Sequence, residues 1–448
     1  MAVNARKAAV NLLNQFYQEQ GYSNIVLNQY LTSNTLEPLE RFFLTALFYG
    51  VIERRITLDY IIGKCSNIPF KKMHPVVLQI LRIGVYQLLF MDKVPSSAAV
   101  NESVKLTKQF RLSSASGFVN AVLRNVGKQH KALMEALPPS ITGDEVRYSC
   151  PSELITFLRD ALGTEFATAF LQHMNDVPQN YIRLNTLKTT TKDFENKLKS
   201  FEINCEFHPI IKECLYENSS FSHKVLARLK ENWYYHQDAS SQLCCLAFDA
   251  KPGETVADVC AAPGGKSFTI AQYMQNQGKI ISGDVYDHKC NEIKRRAGMF
   301  GISILTAVKR DASEPCPPDM VQAFDRVLCD VPCSGLGVIR RKPEIRYKSL
   351  QGMAELPTLQ LKILEESSKM VKPGGILQYS TCTINPLENE KVVEAFLQKH
   401  PEYSPRMLPI EDFFNYYHIA PSWKVTLYPH IHATDGFFIA GMIKEVSD

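Results

Sequence analysis

Two cysteines close short apolar runs: Cys333 in "VLCDVPCSG" (327–335) and Cys382 in "ILQYSTC" (376–382). A thiolate is a strong nucleophile, so a strand-end cysteine can form a covalent bond to a substrate. Asp330 lies three residues before Cys333, within reach of the same site. Lys266 follows the paired glycines of "DVCAAPGGKS" (258–267), a turn that lets a ligand approach the backbone closely. Spacing alone leaves open which thiol attacks.

The elements that carry these residues have a clear period. From 236 onward, apolar runs of four to seven residues ("TVADVC", "KIISGDV", "ISILTAV", "RVLCDV", "GILQYSTC") alternate with helix-like stretches. That alternation predicts a parallel, doubly wound sheet, in which ligands sit beyond the carboxyl ends of the strands. The glycine turn, Asp284, Asp311, Asp330 with Cys333, and Cys382 then fall at five successive strand ends. A glycine loop with acids on the next three strands suits a nucleoside cofactor held through ribose and adenine. "GGKS" does not complete a nucleoside-triphosphate loop, because Cys260 stands where that motif needs glycine. The spacing of Pro263-Gly264-Gly265 also excludes the G-x-G-x-x-G dinucleotide fingerprint.

Residues 1–132 read as an all-helical domain. "HPVVLQILRIGVYQLLFM" is apolar nearly all round and is expected to be its buried central helix. Residues 133–235 read as a small α+β module, and 236–448 as the α/β domain, so the chain is multidomain.

With 45% apolar and 21% charged residues, the composition is that of a globular protein with a sizeable core. No window approaches 18 consecutive apolar residues and the first residues lack a secretory pattern, so a cytoplasmic protein without membrane contact is expected. The 12 cysteines include no C-x-x-C pair and are expected to be thiols, mostly core fillers such as Cys244, Cys245 and Cys329. His430 and His432 lack a third ligand nearby, so no metal is expected. Net charge is +4, but the first 130 residues carry 15 Lys/Arg against 7 Asp/Glu. Such a basic third favours a polyanion partner or a solvated helical surface.

"DVCAAPGGKSF", "VLCDVPCSGLGVIRRKPEIR" and "QYSTCTINPLENE" closely resemble the motifs of the RNA cytosine-C5 methyltransferases of the NOL1/NOP2/Sun family. "HATDGFFIAGMIK" is similar to that family's final hairpin. "VPSSAAVNESVKL" and "GFVNAVLRNV" resemble the helical RNA-binding domain related to the antitermination factor NusB. The resemblance spans nearly the whole chain. Two departures occur: "QDASSQL" lacks the acid of the family's Q-D-E-A-S, and Leu154 replaces an aromatic.

The resemblance implies a Rossmann-like domain that uses S-adenosyl-L-methionine. Cys260, Ala261, Ala262, Pro263, Gly264, Gly265 and Lys266 would line the cofactor's methionine and ribose side. Asp284 would take the ribose hydroxyls, Asp311 would lie by the adenine, and Asp330 near the reacting centre. Arg183 and Asn185 of "YIRLNTLK", with Arg340 and Arg341, would contact RNA. Cys382 would attack carbon 6 of cytosine, Cys333 would assist breakdown of the adduct, and Asp330 would bond the base edge. The implied substrate is 16S rRNA, free of the assembled subunit, with the enzyme a monomer. Transfer RNA or another rRNA site is an alternative target, and a non-catalytic assembly factor an alternative class.

Overall fold

The computed structural model describes residues 4–19, 22–217 and 228–446. The chain forms two units, Met1–Asp176 with Ile339–Leu350, and Val177–Val338 with Gln351–Asp448. Among the described residues no helix is long and apolar enough to cross a membrane.

The first unit is helical: α1 (Ala5–Glu19), α2 (Ser23–Ser33), α3 (Pro38–Glu53), α4 (Arg55–Cys65), α5 (Pro75–Phe90), α6 (Ser96–Gln109), α7 (Ser116–Glu135), α8 (Ile141–Tyr148), α9 (Ser152–Leu162) and α10 (Thr164–His173). The apolar stretch becomes α5, whose Ile80, Leu81, Ile83 and Val85 are fully buried against α1, α3, α4, α6 and α7. A helix apolar on all sides has to be covered on all sides.

The proposed middle module is divided between the units. Helices α8–α10 join the first unit, where the Thr57 hydroxyl donates to the Val146 carbonyl at 2.5 Å. The strands that follow join the second. An amphipathic helix reports that it must bury a face, not which neighbour will cover it.

Residues 340–348 also depart from expectation. The sequence suggests a loop contacting an RNA backbone, yet Pro343, Glu344, Ile345 and Arg346 are buried within the helical unit. Glu344 accepts from the Ser23 hydroxyl at 2.7 Å. Arg346 donates to the Glu53 carbonyl and to Asn175 Oδ1, each at 2.9 Å. Helix ends leave carbonyls unpaired, and a guanidinium can satisfy several at once. Arg340 and Arg341 are half-buried where this segment begins.

The second unit holds two sheets. A small antiparallel one has the order β2-β1-β3, from β1 (Asn180–Leu184), β2 (Cys214–Glu217) and β3 (Tyr234–His236). The large one runs β10-β11-β8-β7-β4-β5-β6, with β9 also on β11. Its strands are β4 (Thr255–Asp258), β5 (Lys279–Asp284), β6 (Leu305–Lys309), β7 (Phe324–Asp330), β8 (Val371–Thr381), β9 (Tyr403–Pro405), β10 (Lys424–Leu427) and β11 (Phe437–Lys444). Strands β6-β5-β4-β7-β8 are parallel, and β8 pairs antiparallel with β11. From its two glycines, "KPGG" (372–375) is expected to be a turn that feeds a buried strand. It lies instead inside β8 as a bulge, the pairing shifting from Phe324↔Val371 to Arg326↔Ile376, with Gly374 at φ +76°.

Arg183 and Asn185, expected to meet RNA, are fully buried. Arg183 donates to Gln272, Tyr273 and Glu213 at 3.1, 3.2 and 3.3 Å. The Asn185 amide donates to the Asn232 and Phe300 carbonyls at 2.8 and 3.0 Å. Both tie the small sheet to the α/β core.

Candidate active site

Strand order reverses between β4 and β7, and ligand crevices open at such switch points. The β4 chain leaves as the glycine loop and enters a helix, Gly265–Tyr273. Gly264 sits at φ +99°, and a Cβ there would meet the Phe268 ring at 2.5 Å, so only glycine fits. Ala261 N–H donates to the Gly283 carbonyl at 2.8 Å, fixing the loop to β5.

A cleft of about 480 Å³ lies beyond these strand ends. Cys260, Ala262, Asp284, Asp311, Asp330, Cys333 and Cys382 line it. Ala261 turns into the core, Pro263 is exposed, and Gly264 and Gly265 shape the turn. Lys266 reaches Asp330 at 2.6 Å.

The residues suit a nucleoside cofactor. Asp284 Oδ1 accepts from the Tyr286 N–H at 3.0 Å, while Oδ2 has no hydrogen-bond partner among the described residues. A ribose diol has the donors this oxygen lacks. Asp311 accepts from the Ser313 N–H and hydroxyl at 2.9 and 2.7 Å, bonds that hold its carboxyl below the ordinary range. Ser313 was not anticipated from sequence. Its signal, an Asp-x-Ser turn in "RDAS", was present.

Beneath the loop, burial pushes the Asp258 carboxyl up to about 7, against the hydroxyl bond it accepts from Ser267 at 2.6 Å. Burial also opposes the Lys266 ammonium, but the Asp330 charge outweighs it and keeps the lysine protonated. Ser380 donates to the other Asp330 oxygen at 2.9 Å.

The fold brings the two strand-end thiols together, with Cys333 Sγ 3.2 Å from Cys382 Sγ. The Cys382 sulfur, together with burial, holds the Cys333 thiol protonated well above its ordinary value. Two sulfurs this close cannot both carry charge.

Glu388 fastens the loops that carry them. Fully buried, it accepts from Ser334 N–H at 2.8 Å, Gln360 at 2.9 Å and Asn385 at 2.8 Å. The Ser334 and Thr383 hydroxyls bond at 2.8 Å, and Gly337 N–H donates to the Cys382 carbonyl at 3.1 Å. A Cβ at Gly337 would fall 1.9 Å from the Gly436 carbonyl, so the three loops close only around glycine. Glu388 lies in the "NPLENE" run, but nothing in its spacing marked which acid turns inward.

The remaining cysteine expectations concern packing. Cys329, Cys244 and Cys245 are fully buried among apolar side chains. His432 accepts the Tyr428 N–H at 2.8 Å and stacks on Phe413, and among the described residues no group of three metal-ligating side chains occurs.

A parallel sheet with this switch point, glycine loop and row of strand-end acids defines a Rossmann-like, S-adenosyl-L-methionine-dependent methyltransferase. Residues 245–443 match the family described as 16S rRNA methyltransferase RsmB/F, and residues 3–128 match the NusB family. The chain is 34% identical to the probable ribosomal RNA small subunit methyltransferase B of Bacillus subtilis, over 99% of each chain. It is 32% identical to the protein of the same description from Synechocystis, over 99% of this chain and 100% of the relative. The crystal structure of PH0851 superposes with a TM-score of 0.77 at 25% identity, covering 99% and 100% of the two chains. The chain belongs to the RsmB/F family of 16S rRNA methyltransferases.

Proposed function

We propose that this chain methylates carbon 5 of a cytosine in 16S rRNA through a covalent adduct on Cys382. The observation that carries the reading is the pair of thiols 3.2 Å apart on the cofactor cleft. Bound S-adenosyl-L-methionine supplies the methyl group, with Asp284, Asp311 and the Cys260–Lys266 loop holding it.

Carbon 5 of cytosine is a poor nucleophile until a thiolate adds to carbon 6. Cys382 forms that S–C6 bond as the displaced electron pair moves to N3. N3 takes a proton relayed through Asp330 from the Lys266 ammonium and gives it back when the adduct breaks down, while Asp330 accepts from the N4 amino group. Lys266 and Ser380 keep Asp330 oriented. Once Cys382 is a thioether its charge is gone, and with it the chief reason for Cys333 to stay protonated. Cys333 then loses its proton to water and takes the proton from methylated carbon 5. The C5–H electrons re-form the C5–C6 double bond, the S–C6 bond breaks, and Cys382 leaves as thiolate.

The same reading expects a cytoplasmic monomer acting on RNA before or early in subunit assembly. Arg340 and Arg341 remain its candidate RNA contacts. Retention of Lys266, Asp330, Cys333 and Cys382 in one constellation speaks against a non-catalytic assembly factor. Transfer of labelled methyl to 16S rRNA, followed by bisulfite mapping of RNA from a deletion strain, tests the reading. Loss of methylation at one 16S cytosine is expected. Loss confined to transfer RNA, or no loss at all, would refute it.

A further inference from the structure

The helical unit contains a pocket of about 610 Å³ that the proposed reaction does not use. It is built where the ends of α1 and α4 meet the returning segment 344–349, so the α1–α7 helices alone would not complete it. Tyr17, Tyr22 and Tyr347 line it, together with Arg55, Lys348 and Glu344. Arg55 stacks 3.7 Å from the centre of the Tyr347 ring, and Lys348 Nζ lies 5.5 Å from that of Tyr22. Tyr22 is 54% exposed. Among the described lining residues the single carboxylate, Glu344, is occupied by the Ser23 N–H and hydroxyl, at 3.3 and 2.7 Å.

Ring faces interleaved with cations suit a ligand that offers a flat π surface and a negative charge together. A nucleotide has both, and the volume lies within the range of small-ligand pockets. The first 130 residues carry an excess of eight positive charges, which favours a polyanion over an apolar partner. We infer that this pocket binds one unpaired nucleotide of the RNA substrate, its base stacked on Tyr22 and its phosphate near Lys348. The inference deepens the proposed function and rests on RNA being the substrate.

The test uses the full chain, a labelled 16S rRNA fragment, and fluorescence anisotropy, with circular dichroism as the check on folding. Tyr22→Ala is expected to raise the RNA Kd about tenfold, whereas Tyr22→Phe, which keeps the ring, stays near wild type. Lys348→Ala is expected to lower the slope of log Kd against log salt by about one. At saturating RNA, kcat should hold in all three. An unchanged Kd in folded Tyr22→Ala protein would overturn the inference. So would saturable binding of free cytidine monophosphate that depends on Tyr22 while RNA affinity does not. A wild-type chain that binds this RNA through Tyr22 yet transfers no methyl would sink the proposed chemistry and leave the pocket standing.

Discussion

The sulfurs of Cys333 and Cys382 lie 3.2 Å apart, although 49 residues separate them in the chain. Their approach is imposed by β7 and β8, which are adjacent and parallel and so deliver both thiols at one edge. Hydrogen peroxide should therefore convert one thiolate to a sulfenic acid, which the other thiol displaces with loss of water to form a disulfide. Methyl transfer should stop and return on reduction with dithiothreitol. Non-reducing peptide mapping that finds no Cys333–Cys382 link after peroxide treatment would count against the geometry.

The two thiols should also separate by what they trap. Cys333→Ala is expected to accumulate a protein–RNA adduct stable to denaturing electrophoresis, because the base that releases it is missing. Cys382→Ala should form none. An adduct with Cys382→Ala would reverse the assignment of roles.

Glu388 holds the Cys333 and Cys382 loops with one buried carboxylate. Glu388→Ala strands the Ser334, Gln360 and Asn385 donors, at a cost of about 1–3 kcal/mol for each unsatisfied group. A lower Tm and at least a tenfold fall in kcat are expected, with cofactor affinity retained. Wild-type kcat in that variant, measured at saturating RNA, would show that the loops hold themselves.

Asp258 should make stability fall as pH rises. Burial raises its folded-state pKa to about 7 from an ordinary 3.8, so the folded protein binds a proton that the unfolded chain has released. Its favourable contribution is complete below about pH 4 and lost as pH climbs through 7, up to about 4 kcal/mol in all. Denaturant unfolding of wild type and Asp258→Asn at pH 5 and pH 8 isolates the effect. The variant should gain on wild type between the two; a constant difference would place Asp258 outside this titration.

Arg183 should prove structural. Removing it leaves Glu213, Gln272 and Tyr273 without their common partner, a loss of about 3 kcal/mol of stability. Arg183→Ala is expected to lower Tm while the folded fraction binds RNA as wild type does. Weaker RNA binding at unchanged Tm would restore it to the RNA surface.

The sequence by itself determined what is local. Short apolar runs, a glycine turn before a helix, and acids placed just past each run depend on residues within a few positions of one another. The parallel sheet, the cofactor loop and the row Asp284, Asp311, Asp330 were legible for that reason. Tertiary structure decided what depends on which distant surface covers a group. "YIRLNTLK" and "RRKPEIRYK" present arginines that look free for RNA, yet Arg183 and Arg346 are buried by partners up to 293 residues away. Charge in a sequence marks a group that needs compensation, and only packing shows whether a phosphate or a protein carbonyl provides it. The same holds for Cys333 and Cys382. Each was visible as a strand-end thiol, but only the pairing of β7 with β8 brings their sulfurs to 3.2 Å.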